Sequence, residues 1–306
     1  MKTPTSPPPA HTTGNLLGVL SIVIWSSVIA FSRSLTEQLG TFTSGAIIYL
    51  AGGMLSVSIM LWKYKGLAWI RELPARYLWV CGGLFIAYEV CLYLAIGYAA
   101  NRQQVLDVGL INYLWIGFTF AFAVPILKKQ ARWTLIVGIV VALAGVVIAT
   151  LPQDYSLAEL RSNLLQHGIP YAFALGCAVC WGLYSNLSRK WASHTSASAV
   201  PLFLLATGLA LLVVRQFVTE QTHLSSNSIL ELIYMIVFPT VLGYIFWDIA
   251  MRKGNLILIA SLSYVIPLAS TLISSAFLQV TVTPNLWLAC LLVIVGAVVC
   301  KYSVED

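Results

Sequence analysis

The sequence predicts an all-α integral membrane protein whose ten transmembrane helices form two inverted five-helix repeats. Composition is the first reason. Of 306 residues, 59% are apolar and 9% charged, and the mean hydropathy is +0.87, whereas water-soluble domains carry about 25% charged residues. Segmentation is the second: ten apolar stretches can be marked along the chain, most near the ~20 residues that cross ~30 Å of hydrocarbon at 1.5 Å per residue. The third is repetition. An offset of 151 lays Tyr93 on Tyr244, Tyr113 on Tyr264, Leu135 on Leu286, Gly145 on Gly296 and Val147 on Val298. At an offset of 156, Trp25 meets Trp181, and Ser32 with Arg33 meets Ser188 with Arg189. Five spans per half is odd, so the second half enters from the other side of the membrane and a two-fold axis lies in the membrane plane. Inverted repeats of this kind are an architecture of alternating-access transporters.

Taken in order, residues 1–14 are polar and proline-rich (Pro4, Pro7, Pro8, Pro9) and read as a disordered cytoplasmic tail. The first repeat occupies 15–151, with apolar stretches at 15–33, 43–62, 77–99, 105–127 and 133–151. The match of the first stretch to the sixth argues that it is retained rather than cleaved as a signal. Residues 152–168 read as a short interfacial linker helix on the outer side. Ser156 and Glu159 have capping-box spacing, Leu157, Leu160 and Leu164 share a face, and Gly168 is placed to end it before Pro170. The second repeat occupies 169–302, with stretches at 169–188, 199–218, 229–248, 255–278 and 285–302. A polar loop at 219–228 closes with a second candidate box at Ser228 and Glu231, and 303–306 form a cytoplasmic tail.

Cations set the orientation. With the N-terminus inside, the cytoplasmic segments hold Lys2, Lys63, Lys65, Arg71, Arg76, Lys128, Lys129, Arg132, Arg189, Lys190, Arg252, Lys253 and Lys301. The outer face keeps only Arg33, Arg102, Arg161 and Arg215. That positive-inside bias places both termini in the cytoplasm. It also accounts for the net charge of +6 without a nucleic-acid partner.

The residues that could carry function lie inside the spans. Glu89 is a carboxylate ~15 Å from the outer end of its helix at 1.5 Å per residue, and an ionisable group at that depth is a functional hypothesis by default. Tyr93 is one turn further on the same face. Helix 4 runs inward and brings Trp115 to the depth of Glu89, with Asn112 and Thr119 on the same stripe and Tyr113 beside them. Helix 6 offers Trp181 with Tyr184, Ser185 and Ser188; helix 9 offers Tyr264, Thr271, Ser274 and Ser275. Trp25, Trp115 and Trp181 are mid-helix and suit a cavity wall, whereas Trp62, Trp69, Trp79, Trp133, Trp191, Trp247 and Trp287 lie near helix ends and suit an aromatic belt. Pro125, Pro239 and Pro267 are candidate hinges, Pro267 as a kink in helix 9. Helices 5 and 10 are rich in small residues and read as scaffold.

Several chemistries are excluded. The sequence holds no phosphate loop for ATP and no ligand pattern of a membrane metalloenzyme, so neither cofactor nor metal is expected. All six cysteines fall in apolar helices, including the pair Cys177 and Cys180, and read as packing residues. No Lys or Arg is mid-helix to meet a phosphate-bearing substrate.

With these residues in view, the chain resembles the drug/metabolite transporter superfamily, its halves resembling paired EamA-type repeats over about residues 15–302. Gly97 to Gln104, followed by Asn112, Tyr113, Leu114 and Trp115, is similar to the superfamily's bacterial aromatic amino acid exporters. One departure stands out. Helix 9 has the Tyr-x-x-Pro pattern at Tyr264 and Pro267, but helix 4 has Ile116 at the aligned position. The resemblance implies a non-enzymatic, monomeric secondary transporter of the bacterial inner membrane, exporting aromatic amino acids and other flat aromatics. The residues are compatible with that. Aromatic walls stack flat rings and hold cations. Glu89 could face an α-ammonium group, which its depth match with Trp115 favours, or carry a coupling proton; Asn112, tyrosine hydroxyls or a helix N-terminus could meet the carboxylate. Export of organic cations, or a channel or receptor function, are the alternatives.

Overall fold

A computed structural model describes residues 9–150, 157–195, 197–253, 259 and 262–304. Their secondary structure is helical apart from one isolated bridge between Ala131 and Val304. The helices are α1 (Pro9–Trp25), α2 (Val28–Leu39), α3 (Thr41–Tyr64), α4 (Ala68–Arg71), α5 (Gly82–Tyr98), α6 (Arg102–Asn112) and α7 (Trp115–Leu127). There follow α8 (Thr134–Thr150), α9 (Leu157–Ala192), α10 (Val200–Arg215), α11 (Ser226–Met235), α12 (Tyr244–Lys253), α13 (Ile266–Leu278) and α14 (Pro284–Ser303). Seven helical runs among the described residues are long and apolar enough to cross a membrane: Thr12–Leu39, Thr41–Tyr64, Tyr77–Tyr98, Arg102–Leu127, Gly168–Ala192, Ser226–Ala250 and Pro284–Ser303. Three shorter apolar helices, Thr134–Ala149, Val200–Arg215 and Ser263–Leu278, coincide with the remaining stretches marked in the sequence. At 1.5 Å per residue these three reach only about 24 Å.

Several runs are not uniform helices. The first is interrupted at Ser26 and Ser27, between α1 and α2. The fourth breaks at Tyr113 and Leu114, where Leu114 N–H turns to Ile111 O and Ile116 N–H to Tyr113 O, tight three-residue bonds in place of the four-residue ladder. No proline causes this break. Its counterpart at the 151 offset is a 3-10 turn, Ser263–Val265, leading into α13. The likeness extends along both helices, since α7 and α13 each end at a left-handed residue, Lys128 and Gln279, at that same offset. Pro267 therefore stands in the first turn of α13, where a missing N–H leaves no bond unmade, rather than kinking a helix interior. Pro125 lies inside α7, and Pro239 inside a π-helical segment, Ile236–Gly243, that joins α11 to α12.

Three local expectations change. Helix begins at Pro9, within the segment assigned to a disordered tail; residues 1–8 lie outside the described residues. The linker helix does not stop at Gly168, because α9 continues from Leu157 through Gly168 and Pro170 to Ala192. A proline removes one donor from a 36-residue ladder, and nothing stands within 4 Å of a Cβ at Gly168 to turn the chain. Ser156 of the first capping box lies outside the described residues. The second box is made by Ser225 and Ser228, each side chain accepting from the other's backbone N–H, while Glu231 accepts from Gln38 Nε2 at 3.2 Å.

Close backbone contact holds the frame. α3 packs on α10, α8 on α14, α5 on α9 and α1 on α12. Between α3 and α10 a Cβ at Gly53 would stand 2.5 Å from Leu205 N, and one at Gly208 would stand 2.4 Å from Leu50 N. Between α8 and α14 a Cβ at Gly296 would meet Gly138 O at 2.5 Å. Lipid is as apolar as a leucine side chain, so dispersion across such close approaches, not hydrophobic exclusion, drives membrane helices together.

Candidate substrate cavity

The interrupted helices surround a cavity in the middle of the bundle. α1 and α2 contribute Trp25, Val28 and Ile29, α3 contributes Tyr49, and α5 contributes Tyr88, Glu89 and Leu92. Asn112, Tyr113 and Trp115 come from the break between α6 and α7, and Trp181 from α9. Pro239 and Thr240 come from the π-helical segment, Met235 and Tyr244 flank it, and Ile266 opens α13. The cavity itself is small, about 60 Å³, below the ~300–1,000 Å³ of small-molecule sites.

One acidic group is held at its wall. Glu89 is 1% exposed. Tyr49 Oη donates to Glu89 Oε2 at 2.5 Å, and Tyr244 Oη donates to Oε1. This pair of donors fixes the carboxyl group between α3 and α12. Tyr93 does not reach it. Its ring stands edge-on to Tyr49 at 6.0 Å, and its buried hydroxyl meets no hydrogen-bond partner among the described residues.

Rings make the rest of the wall. Trp181 is the hub, with centroids 4.8 Å from Tyr88 and 6.2 Å from both Trp25 and Trp115. The two tryptophan contacts are near-perpendicular, at 89° and 73°, the edge-to-face arrangement that ring quadrupoles favour. Trp25 is pinned by its Nε1, which donates to Pro239 O at 3.1 Å. A Cβ at Gly243 would stand 2.6 Å from that nitrogen, so the glycine makes room for the indole.

Of the residues singled out in the sequence, Trp25, Glu89, Asn112, Tyr113, Trp115, Trp181 and the hinge candidate Pro239 line the cavity. Tyr93, Tyr184 and Tyr264 do not. Tyr184 packs behind Trp181 against Phe85, at 5.1 and 5.6 Å, and Tyr264 is buried with Ile116 and Ala297. Pro125 and Pro267 are also off the wall. The reading missed Tyr49, Tyr88, Met235, Thr240 and Tyr244. Tyr244 had a signal, being the repeat mate of Tyr93; Tyr49 had none. Nor is Glu89 the only buried acid in these runs. Asp107, on α6, is 7% exposed and accepts from Tyr171 Oη at 3.3 Å, nearer the helix end and off the cavity wall.

At the far end of α2 the chain is tied shut. Glu37 accepts from Arg33 Nε at 2.7 Å and from Arg102 Nη2 at 2.6 Å. Arg33 also donates to Ile96 O and Ala99 O, and Arg102 to Leu278 O, each at 3.0 Å. The cluster joins α2, the α5–α6 turn and the end of α13.

Comparison with known proteins agrees with this picture. A match to the EamA-like transporter family occurs twice, over residues 12–151 and 168–301. The aromatic amino acid exporter YddG of Salmonella typhimurium (strain 14028s) is 29% identical over 286 residues, covering 93% of this chain and 95% of that protein. YddG of Escherichia coli (strain K12) is also 29% identical, with the same coverage. YddG of Ancylobacter novellus is 26% identical over 95% of this chain and 97% of that one. A solved crystal structure that is 24% identical superposes with a TM-score of 0.68, covering 95% of this chain and 98% of the other, and so shares its fold.

Proposed function

The chain belongs to the EamA-like transporter family, and from that premise we propose that it exports aromatic amino acids across the bacterial inner membrane by alternating access. The observation that carries this reading is the cavity: seven rings, Trp25, Tyr49, Tyr88, Tyr113, Trp115, Trp181 and Tyr244, surround a space that also holds the carboxyl group of Glu89. Flat rings stack there, and a cationic group finds both an acid and π-faces. The names of the relatives support the same substrate class.

In this reading the protein is a multi-pass monomer of ten spans with both termini cytoplasmic and the 101–104 and 152–168 segments outside. The double family match supports two repeats. So does the packing, because exchanging the halves maps α3–α10 and α8–α14 onto themselves and swaps α1–α12 with α5–α9. The three short helices span by lying in a locally thinner or protein-lined path. The breaks in helices 1, 4 and 8 let each half-helix move without tearing a continuous ladder. The Arg33–Glu37–Arg102 cluster holds the outer ends of α2, α6 and α13 together.

Reconstitution in liposomes tests the proposal. Labelled phenylalanine and tryptophan should enter saturably and be trans-stimulated by the same amino acids inside. A linear, unsaturable flux would instead indicate a channel. Glu89 among tryptophans also favours a second reading, export of organic cations; a lipophilic cation transported in preference to phenylalanine would select it.

A further inference from the structure

Asn112 occupies an unusual position. It is the last residue of α6, where the fourth membrane run breaks, and it is 3% exposed while lining the cavity. Its Oδ1 meets no hydrogen-bond partner among the described residues. An amide oxygen accepts and cannot donate, and a buried acceptor left unmade costs free energy that a ligand's donor would recover. A further feature fixes the kind of donor. Glu89 places an acid in the same cavity, and each of its oxygens already accepts a tyrosine hydroxyl. A cationic donor is favoured by that acid and by the open amide oxygen together.

We propose that Asn112 Oδ1 accepts a hydrogen bond from the ammonium group of the transported amino acid, and that this contact separates amine-bearing aromatics from those of the same shape without the amine. The inference rests on the aromatic amino acid reading above and deepens it. It assigns to Asn112 the ammonium contact that the sequence offered to Glu89, and leaves Glu89 as the anchor that positions Tyr49 and Tyr244 and supplies charge at a distance.

Calorimetric binding to the purified full chain tests it with three probes: phenylalanine, phenethylamine (amine without carboxylate) and 3-phenylpropionate (carboxylate without amine). Asn112→Leu should weaken phenylalanine and phenethylamine by about tenfold or more, as expected for a hydrogen bond to a charged group, and leave 3-phenylpropionate unchanged. Asn112→Asp should keep or tighten both amines and weaken 3-phenylpropionate. If the leucine variant does not fold, the aspartate variant decides alone through that opposite movement of amine and acid. Uniform weakening of all three probes, or a loss confined to the carboxylate-bearing ones, overturns the inference. Wild-type protein that binds phenylalanine while the variants do not discriminate removes this inference only; wild-type protein that binds none of the three removes the aromatic amino acid reading with it.

Discussion

Glu89 shows how much a single buried group is defined by its neighbours. Tyr49 and Tyr244 reach it from α3 and α12, so one carboxyl group links three elements. We expect Glu89→Gln to retain substrate exchange in liposomes while losing stimulation by an imposed pH gradient, because glutamine keeps the shape and one accepting oxygen, its amide donating to the other tyrosine hydroxyl, but cannot titrate. Loss of exchange and stimulation together, in a protein that purifies normally, would count against a coupling role. The aromatic residues divide in the same way. Trp115 lines the cavity, and Trp115→Ala should raise the apparent Km for phenylalanine severalfold, the cost of one stacked ring being on the order of 1 kcal/mol. Tyr93 stands behind Tyr49, so Tyr93→Ala should instead lower the melting temperature in detergent with little change in Km. A Km effect from Tyr93 equal to that from Trp115 would contradict this placement.

At the scale of elements, the glycine contacts carry the frame. The Cβ that Gly53→Ala adds would stand 2.5 Å from Leu205 N, a backbone atom that cannot turn aside. Gly53→Ala is expected to separate α3 from α10, seen as loss of monodisperse protein on size exclusion. Gly83→Ala is the control, since nothing lies within 4 Å of its added Cβ and alanine is the better helix former. Equal behaviour of the two variants would remove close packing as the explanation. The break in helix 4 belongs to this scale too. The sequence has Ile116 where helix 9 has Pro267, which argues against a kink, yet the chain breaks at Tyr113 and Leu114. Proline is sufficient to interrupt a helix but not necessary when three-residue bonds can take over the freed groups.

Across the whole molecule, orientation is the property on which every depth rests. A single cysteine at Leu160 should react with a membrane-impermeant maleimide from outside intact cells, and one at Gln130 should not. The reverse pattern would invert the outer and inner assignments.

The all-helical class and the positions of the apolar runs were legible in the sequence because a bilayer imposes them locally. Backbone groups in lipid must bond within their own segment, and a span must be long enough to cross. Family resemblance was legible for a related reason, since the motifs at Gly97 to Gln104 and Asn112 to Trp115 are contiguous in the chain. Part of the cavity wall was legible: counting residues along helices brings Trp115 to the level of Glu89, and Trp25 and Trp181 could be read as mid-helix rings. Which rings face the cavity was decided only by tertiary structure. In a helix that is apolar on every side, no polar stripe marks the inner face. The rotation that turns Tyr49, Tyr88 and Tyr244 inward, and Tyr93, Tyr184 and Tyr264 away, is therefore set by which helices it packs against.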